Sequence, residues 1–237
     1  MKSEENLLSN TNTKTEAKTF YKSLFVIVAP IAIQNFITCA VNSVDVFMLG
    51  LVSQTAIASV SLASRVQFLL AMFFTGLSSG LIMLTAQYWG KKDIVNIRRS
   101  VGITLSCSLG VSLVFFIVAQ TIPELVLSFY SQDLEVISLG AKYLKTTAWS
   151  YPIFAISMAF SLAFRSTEQA KVPMTATIIS LCINALCNYL LIFGVSINGT
   201  QIIPSLGITG AALATLFARI VECILLLTIG YKKKLPP

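Results

Sequence analysis

Residues 24–49 read LFVIVAPIAIQNFITCAVNSVDVFML, an apolar run with a single ionisable side chain, Asp45. A helix needs about 20 mostly apolar residues to cross a bilayer, and a run of this length is too long for a buried strand. Its polar residues are not scattered. Asn35, Thr38, Asn42 and Asp45 follow one another at steps of 3, 4 and 3, which puts all four on one helical face. Lipid offers such a face no hydrogen-bond partner, so it must look onto protein or a water-filled cavity. The segment reads as a spanning helix that carries a polar site.

Five similar runs follow, at roughly 57–85, 100–121, 139–164, 174–195 and 207–230. Hydrophobic residues make up 55% of the 237, charged residues 11%, and the mean hydropathy is +0.79. A soluble domain carries about a quarter charged residues to build its polar shell, and this chain cannot build one. The expected fold class is an all-α membrane protein with six transmembrane helices. Residues 1–22 are polar and are expected to form a disordered cytoplasmic tail that is not cleaved as a signal peptide. Residues 23–231 form the bundle, and 232–237 begin a cytoplasmic linker.

The net charge of +7 does not point to nucleic acid once the charges are placed. With the N-terminus inside, the inner segments hold Lys2, Lys14, Lys18, Lys22, Lys91, Lys92, Arg98, Arg99, Arg165, Lys171, Lys232, Lys233 and Lys234. The outer segments hold only Lys142 and Lys145, which can snorkel from the start of the fourth span. The positive-inside rule then puts both termini in the cytoplasm, in a multi-pass protein of the cell membrane. The chain has no histidine, which excludes Ser-His-Asp triads, Cys-His dyads and His-ligated metals. Its five cysteines, Cys39, Cys107, Cys182, Cys187 and Cys223, lie inside apolar runs and read as small buried hydrophobes. No enzyme is expected.

Apart from Lys142 and Lys145 at the start of span four, four charged residues stand out within the spans: Asp45, Arg65, Arg219 and Glu222. Each costs about 2.5–3.5 kcal/mol on insertion scales, so each needs a reason to be there. Span five carries a stripe of Thr177, Ser180, Asn184 and Asn188, and span six puts Thr215, Arg219 and Glu222 on one face. At 1.5 Å per residue, Asp45 lies about 6–8 Å below the outer boundary, Asn188 about 10 Å, Thr215 about 12 Å and Asn184 about 16 Å. One carboxylate and three neutral oxygen donors from three helices can therefore share a pocket suited to a small hard cation or to a proton on Asp45. Asn35, Thr38, Asn42 and Arg65 are candidates for the polar lining of the cleft. Arg65, about 12 Å deep, is a rival partner that would neutralise Asp45. Thr177 and Ser180 are expected to join helices, and Arg219 and Glu222 to form an i,i+3 ion pair. Pro30 and Pro152 permit bends, and Gly76 and Gly80 form a GxxxG close-packing signal.

Span one carries APIAIQNF and VDVFMLG, span two runs through FFTGLSSGLIMLTAQYWGKKD, the second inner loop holds RSTEQAKVPM, span five NALCNYLLIFG and span six LGITGAALATLFAR. In this order the segments resemble the multidrug and toxic compound extrusion (MATE) family. The resemblance covers about 24–235 and corresponds to the N-terminal six-helix lobe. It implies an antiporter that expels drug-like, often cationic organic compounds in exchange for sodium or protons, with no other cofactor. It assigns the coupling cation to Asp45, Asn184, Asn188 and Thr215, with the Ala211 carbonyl as a further ligand; some branches of the family have Asp where this chain has Asn188. Members have twelve spans in two lobes, and this chain stops at YKKKLPP, where the inner loop to a seventh span would begin. A fragment, a lobe that pairs with a separately encoded partner, and a homodimer are all compatible with that. The expected partners are membrane lipid, small organic substrates and a second lobe, and not nucleic acid. Two other readings stay open: a lipid-linked oligosaccharide flippase of the same superfamily, and a non-transporting scaffold or inactive remnant.

Overall fold

The computed structural model describes residues 2–167, 169–197 and 200–232. The helices are α1 (Lys2–Gly50), α2 (Gln54–Gly90), α3 (Ile94–Thr121), α4 (Pro123–Ser128), α5 (Leu134–Ala148), α6 (Ser150–Ser166), α7 (Lys171–Phe193) and α8 (Gly207–Lys232). Among the described residues, five stretches are long and apolar enough to cross a membrane: Val28–Gly50, α2, α3, α7 and α8. The run at 139–164, expected to be one span, is two helices, α5 and α6, which meet at 49°. Pro152 supplies the cause. A proline inside a helix removes one backbone bond and its ring collides with the carbonyl four residues back, and that residue is Ala148, where α5 ends. With the bent pair counted as one span, there are six.

The polar segment expected to be a disordered tail is also different. Residues 2–22 continue α1 without a break. Starting a helix is costly, but extending one that the membrane span has already nucleated adds a bond for each residue fixed. The end of the linker, 233–237, lies outside the described residues.

Local chemistry fixes the ends of the other elements. The Ser53 hydroxyl accepts from the Ala56 amide at 2.9 Å to cap α2. Asp93 caps α3 through the Asn96 amide at 3.2 Å and its side-chain amide at 2.6 Å, and these bonds to the ionised form hold the Asp93 carboxyl below its ordinary range. Asp133 caps α5. α7 stops at Phe193 because Gly194 adopts φ 75°, a region costly for any other residue. Beyond it, Val195–Ile197 (β1) and Thr200–Ile203 (β2) pair antiparallel in a short hairpin. The two residues between them in sequence are Asn-Gly, the dipeptide that two-residue hairpin turns favour.

Inside lipid, association of helices depends on close packing and hydrogen bonds rather than on escape from water. Most hydroxyls in the spans are satisfied within their own helix. Thr38, Ser64, Ser100 and Thr104 donate to the carbonyl four residues back, as do Ser78 to Phe74 and Thr85 to Leu81. The core instead uses small residues, such as Ala148, Ala155 and Ala212, so that Phe74, Leu144 and Tyr151 fit between them. α7 lies against both α8 and α1. The tightest backbone approach is at Gly210, where an added Cβ would sit 2.5 Å from the Leu191 carbonyl oxygen and 2.7 Å from its carbon. Gly76 and Gly80 have open space around them, with nothing within 4 Å of an added Cβ, so the GxxxG pair makes no close contact here. Gly210→Ala is therefore expected to destabilise the bundle by at least about 1–3 kcal/mol, the usual cost of overpacking, measured by thermal unfolding of purified protein. Gly76→Ala is expected to leave the midpoint unchanged.

Candidate functional site

α1, α2, α5, α6, α7 and α8 enclose a cavity of about 450 Å³. Its wall includes Thr38, Asn42 and Asp45 from α1, and Thr177, Ser180, Asn184 and Asn188 from α7. α8 contributes Ala211, Thr215, Arg219 and Glu222. α2 presents Val60, Ser64, Gln67, Phe68 and Ala71, α5 adds Tyr143, and α6 adds Phe154. The four residues assigned to the coupling cation thus line one cavity, as does Ala211.

At the end of the cavity nearer Gly50, the Asn188 side-chain nitrogen donates to Asp45 Oδ1 at 2.8 Å. The same nitrogen lies 3.3 Å from Asn184 Oδ1. Asn188 is 2% exposed, and its own Oδ1 is buried with no hydrogen-bond partner. A buried amide oxygen without a partner costs about 1–3 kcal/mol, and it sits on the side chain that already touches the carboxylate. Thr215 donates to the Ala211 carbonyl at 3.0 Å, and its hydroxyl also meets that of Tyr143. The group is therefore rich in oxygen acceptors and holds one carboxylate. Among the described residues, the ion pairs are Lys145 with Glu124 at 3.6 Å and Arg219 with Glu222 at 2.9 Å. Asp45 takes part in neither.

Two expected members of the lining are not there. Arg65 is exposed and does not line the cavity, so it does not neutralise Asp45. The lining residues of α2 recur at 60, 64, 67, 68 and 71, and position 65 lies about 100° around the helix from Ser64. Asn35 is exposed as well and lies outside the lining. It is ten residues from Asp45, about 80° away around the helix. Gln34 is eleven residues away, about 20° from the meridian of Asp45, and it is Gln34 that is buried. A count of eleven from Asp45 would have found it in the sequence.

Gln34 belongs to a second polar assembly, at the opposite end of the cavity. Its Nε2 donates to Thr177 Oγ1 at 2.7 Å, and Thr177 donates to Glu222 Oε1 at 2.8 Å. Arg165 donates to Gln34 Oε1 at 2.9 Å. Arg219 donates to Glu222 Oε2 at 2.9 Å, so the expected i,i+3 pair forms. Its guanidinium also lies 4.5 Å from the centre of the Phe154 ring. Ser180 donates across to the Ala218 carbonyl at 2.7 Å, which makes both Thr177 and Ser180 helix-joining residues.

Thr177→Val keeps the shape of the side chain but removes a donor from Glu222 and an acceptor from Gln34. It is expected to cost about 1–2 kcal/mol in thermal unfolding. Thr228→Val, which alters only bonds within α8, is expected to stay within about 0.5 kcal/mol of the parent.

Comparison with known proteins gives the family. The probable multidrug resistance protein NorM of Rhizobium meliloti (strain 1021) is 33% identical over 202 residues, which are 83% of this chain and 40% of that protein. The probable multidrug resistance protein YoeA of Bacillus subtilis (strain 168) is 26% identical over 235 residues, 99% of this chain and 49% of that protein. The chain thus spans about half the length of the relatives it matches. A solved structure described as the outward-facing conformation of a multidrug resistance MATE family transporter of the MOP superfamily has the same fold. It aligns with a TM-score of 0.79 at 18% identity, covering 90% of this chain and 45% of that one. The family model MatE matches residues 30–190, from Pro30 in α1 to the end of the asparagine stripe on α7, and this chain is a member of the MatE family.

Proposed function

We propose that the chain is the N-terminal six-helix lobe of an antiporter in the cell membrane. It exports drug-like organic compounds, many of them cationic, in exchange for inward sodium or protons, and Asp45 is the carboxylate that the coupling cation occupies. The observation that carries this reading is the bond from Asn188 to Asp45, with the other end of the same amide left without a partner. Half a turn of that amide exchanges its nitrogen for its oxygen. The donor that serves the bare carboxylate then becomes an acceptor beside it, as a hard cation prefers. Asn184, Thr215 and the Ala211 carbonyl supply further oxygens at the same end of the cavity.

The mechanism follows from charge. Asp45 has no basic partner among the described ion pairs, so it carries the uncompensated negative charge of the cavity. A cation or proton cancels that charge and changes what Asn188 does, and α1 and α7 then meet differently at that end. A cation that binds one state of the lobe better than the other shifts the population toward it by its difference in affinity. The second lobe is the expected partner. Large apolar residues exposed on α1 and α2, among them Phe36, Phe47 and Met72, face either lipid or that lobe. The flippase reading needs a strongly basic cavity for a pyrophosphate. Of the two span arginines it would use, Arg65 lies outside the cavity and Arg219 is paired with Glu222, which favours export.

Sodium but not potassium, or else acidification, is expected to raise the melting temperature of the purified chain. At about ten times its dissociation constant, sodium stabilises the folded state by about 1.4 kcal/mol, and Asp45→Asn is expected to abolish the response. An Asp45→Asn protein that still answers the same cation overturns the assignment, and a parent protein that answers neither sodium nor acid favours the scaffold reading.

A further inference from the structure

We propose that Phe154 and Glu222 form a recognition subsite for flat organic monocations, which the guanidinium of Arg219 fills until a cargo cation takes its place. The class of cargo rests on the export reading above; the subsite itself rests on geometry. Arg219 is a cation already bound. Its guanidinium lies 4.5 Å from the centre of the Phe154 ring and donates to Glu222 Oε2 at 2.9 Å. An aromatic face combined with a carboxylate edge is what a planar, delocalised cation recognises. Phe154, Arg219 and Glu222 all line the cavity, so a soluble or membrane-borne cation can reach the same two groups.

The two recognition groups are fixed and the arginine is not. Thr177 holds the other oxygen of Glu222 at 2.8 Å and is itself held by Gln34 at 2.7 Å, so the carboxylate stays aimed. The Phe154 ring packs on Phe74 with 5.5 Å between centroids, and Phe74 is buried in the core. Arg219 is the more accessible partner of the pair, with its side chain 28% accessible against 9% for Glu222. Its long side chain can swing into the cavity.

Exchange of one cation for another keeps Glu222 paired throughout. That matters because stripping the partner from a buried carboxylate is far more costly than replacing it. It also makes the subsite selective. A tethered guanidinium is present at high effective concentration, so only a cation with good aromatic and carboxylate contacts displaces it. A neutral molecule of the same shape gains no contact with Glu222.

The test is equilibrium binding of ethidium, a planar monocation, to the full 237-residue chain in lipid nanodiscs, read by fluorescence polarisation, with neutral Nile red as control. Glu222→Gln is expected to weaken ethidium binding by roughly ten- to a hundredfold, and Phe154→Leu by roughly three- to thirtyfold. Arg219→Gln, which removes the resident competitor, is expected to tighten it by roughly tenfold or more. Nile red binding should hold constant throughout. Because Arg219→Gln leaves the Glu222 carboxylate without its paired cation, the double variant Arg219→Gln/Glu222→Gln, which removes both charges of the pair, is measured beside it. It should bind ethidium as weakly as Glu222→Gln alone. Equal ethidium affinity in Glu222→Gln and the parent, or a double variant as tight as Arg219→Gln, overturns the subsite. These affinities are read without transport or a coupling ion. Failure of the export reading would instead appear as a cation response that does not need Asp45, with the ethidium series intact.

Discussion

α1 is tied to α7 at two levels, and the cavity exists because of those ties. At one level Gln34 donates to Thr177, and at the other Asn188 donates to Asp45. Each pair of levels is separated by the same eleven residues on its own helix, about 16 Å of rise. Two parallel helices thus keep one register along three turns, with polar faces turned toward each other and away from lipid. A bilayer makes that arrangement obligatory, since a carboxamide or carboxylate facing hydrocarbon has no partner.

The two ties differ in charge, and the difference divides the cavity. At the Gln34 level the carboxylate is that of Glu222, held by Thr177 and neutralised by Arg219. At the Asp45 level the carboxylate has the Asn188 amide as partner but no resident cation among the described ion pairs. At one end of the cavity the carboxylate already holds a cation, which another must displace, and at the other it is poised to take one. The close approach of α8 to α7 at Gly210 and Leu191 brings Thr215 and Ala211 to that second end. The bend between α5 and α6 brings Tyr143 and Phe154, from opposite sides of the break, onto the wall of the same cavity.

Much of this was legible in the sequence because a membrane leaves few options. Long apolar runs mark the helices, and polar residues within them repeat at helical spacing on the faces that meet. The stripes on spans one, five and six, and the Arg219–Glu222 pair, are of that kind. What escaped was angular and local. Steps of three and four make Asn35 look continuous with the stripe, although eleven residues return closer to the starting meridian than ten and so favour Gln34. Depth alone brings Arg65 to the level of Asp45, and depth says nothing about which way a side chain faces. The break at Trp149 was hidden because apolar residues continue through it; only Pro152, acting on Ala148 one turn earlier, marks it. The polar segment 2–22 has the composition of a tail, but it is joined to a helix that is already formed.

The most direct test of the Asp45–Asn188 tie is a double-mutant cycle on the thermal stability of the purified chain, using Asp45→Ala, Asn188→Ala and the pair, with and without saturating sodium or acid. A direct bond predicts that the double variant loses about 0.5–2 kcal/mol less than the sum of the single losses. If the cation takes over the carboxylate, that coupling changes when sodium or protons are present. Strictly additive losses, or a coupling the same in every condition, would contradict a switchable contact between these two residues.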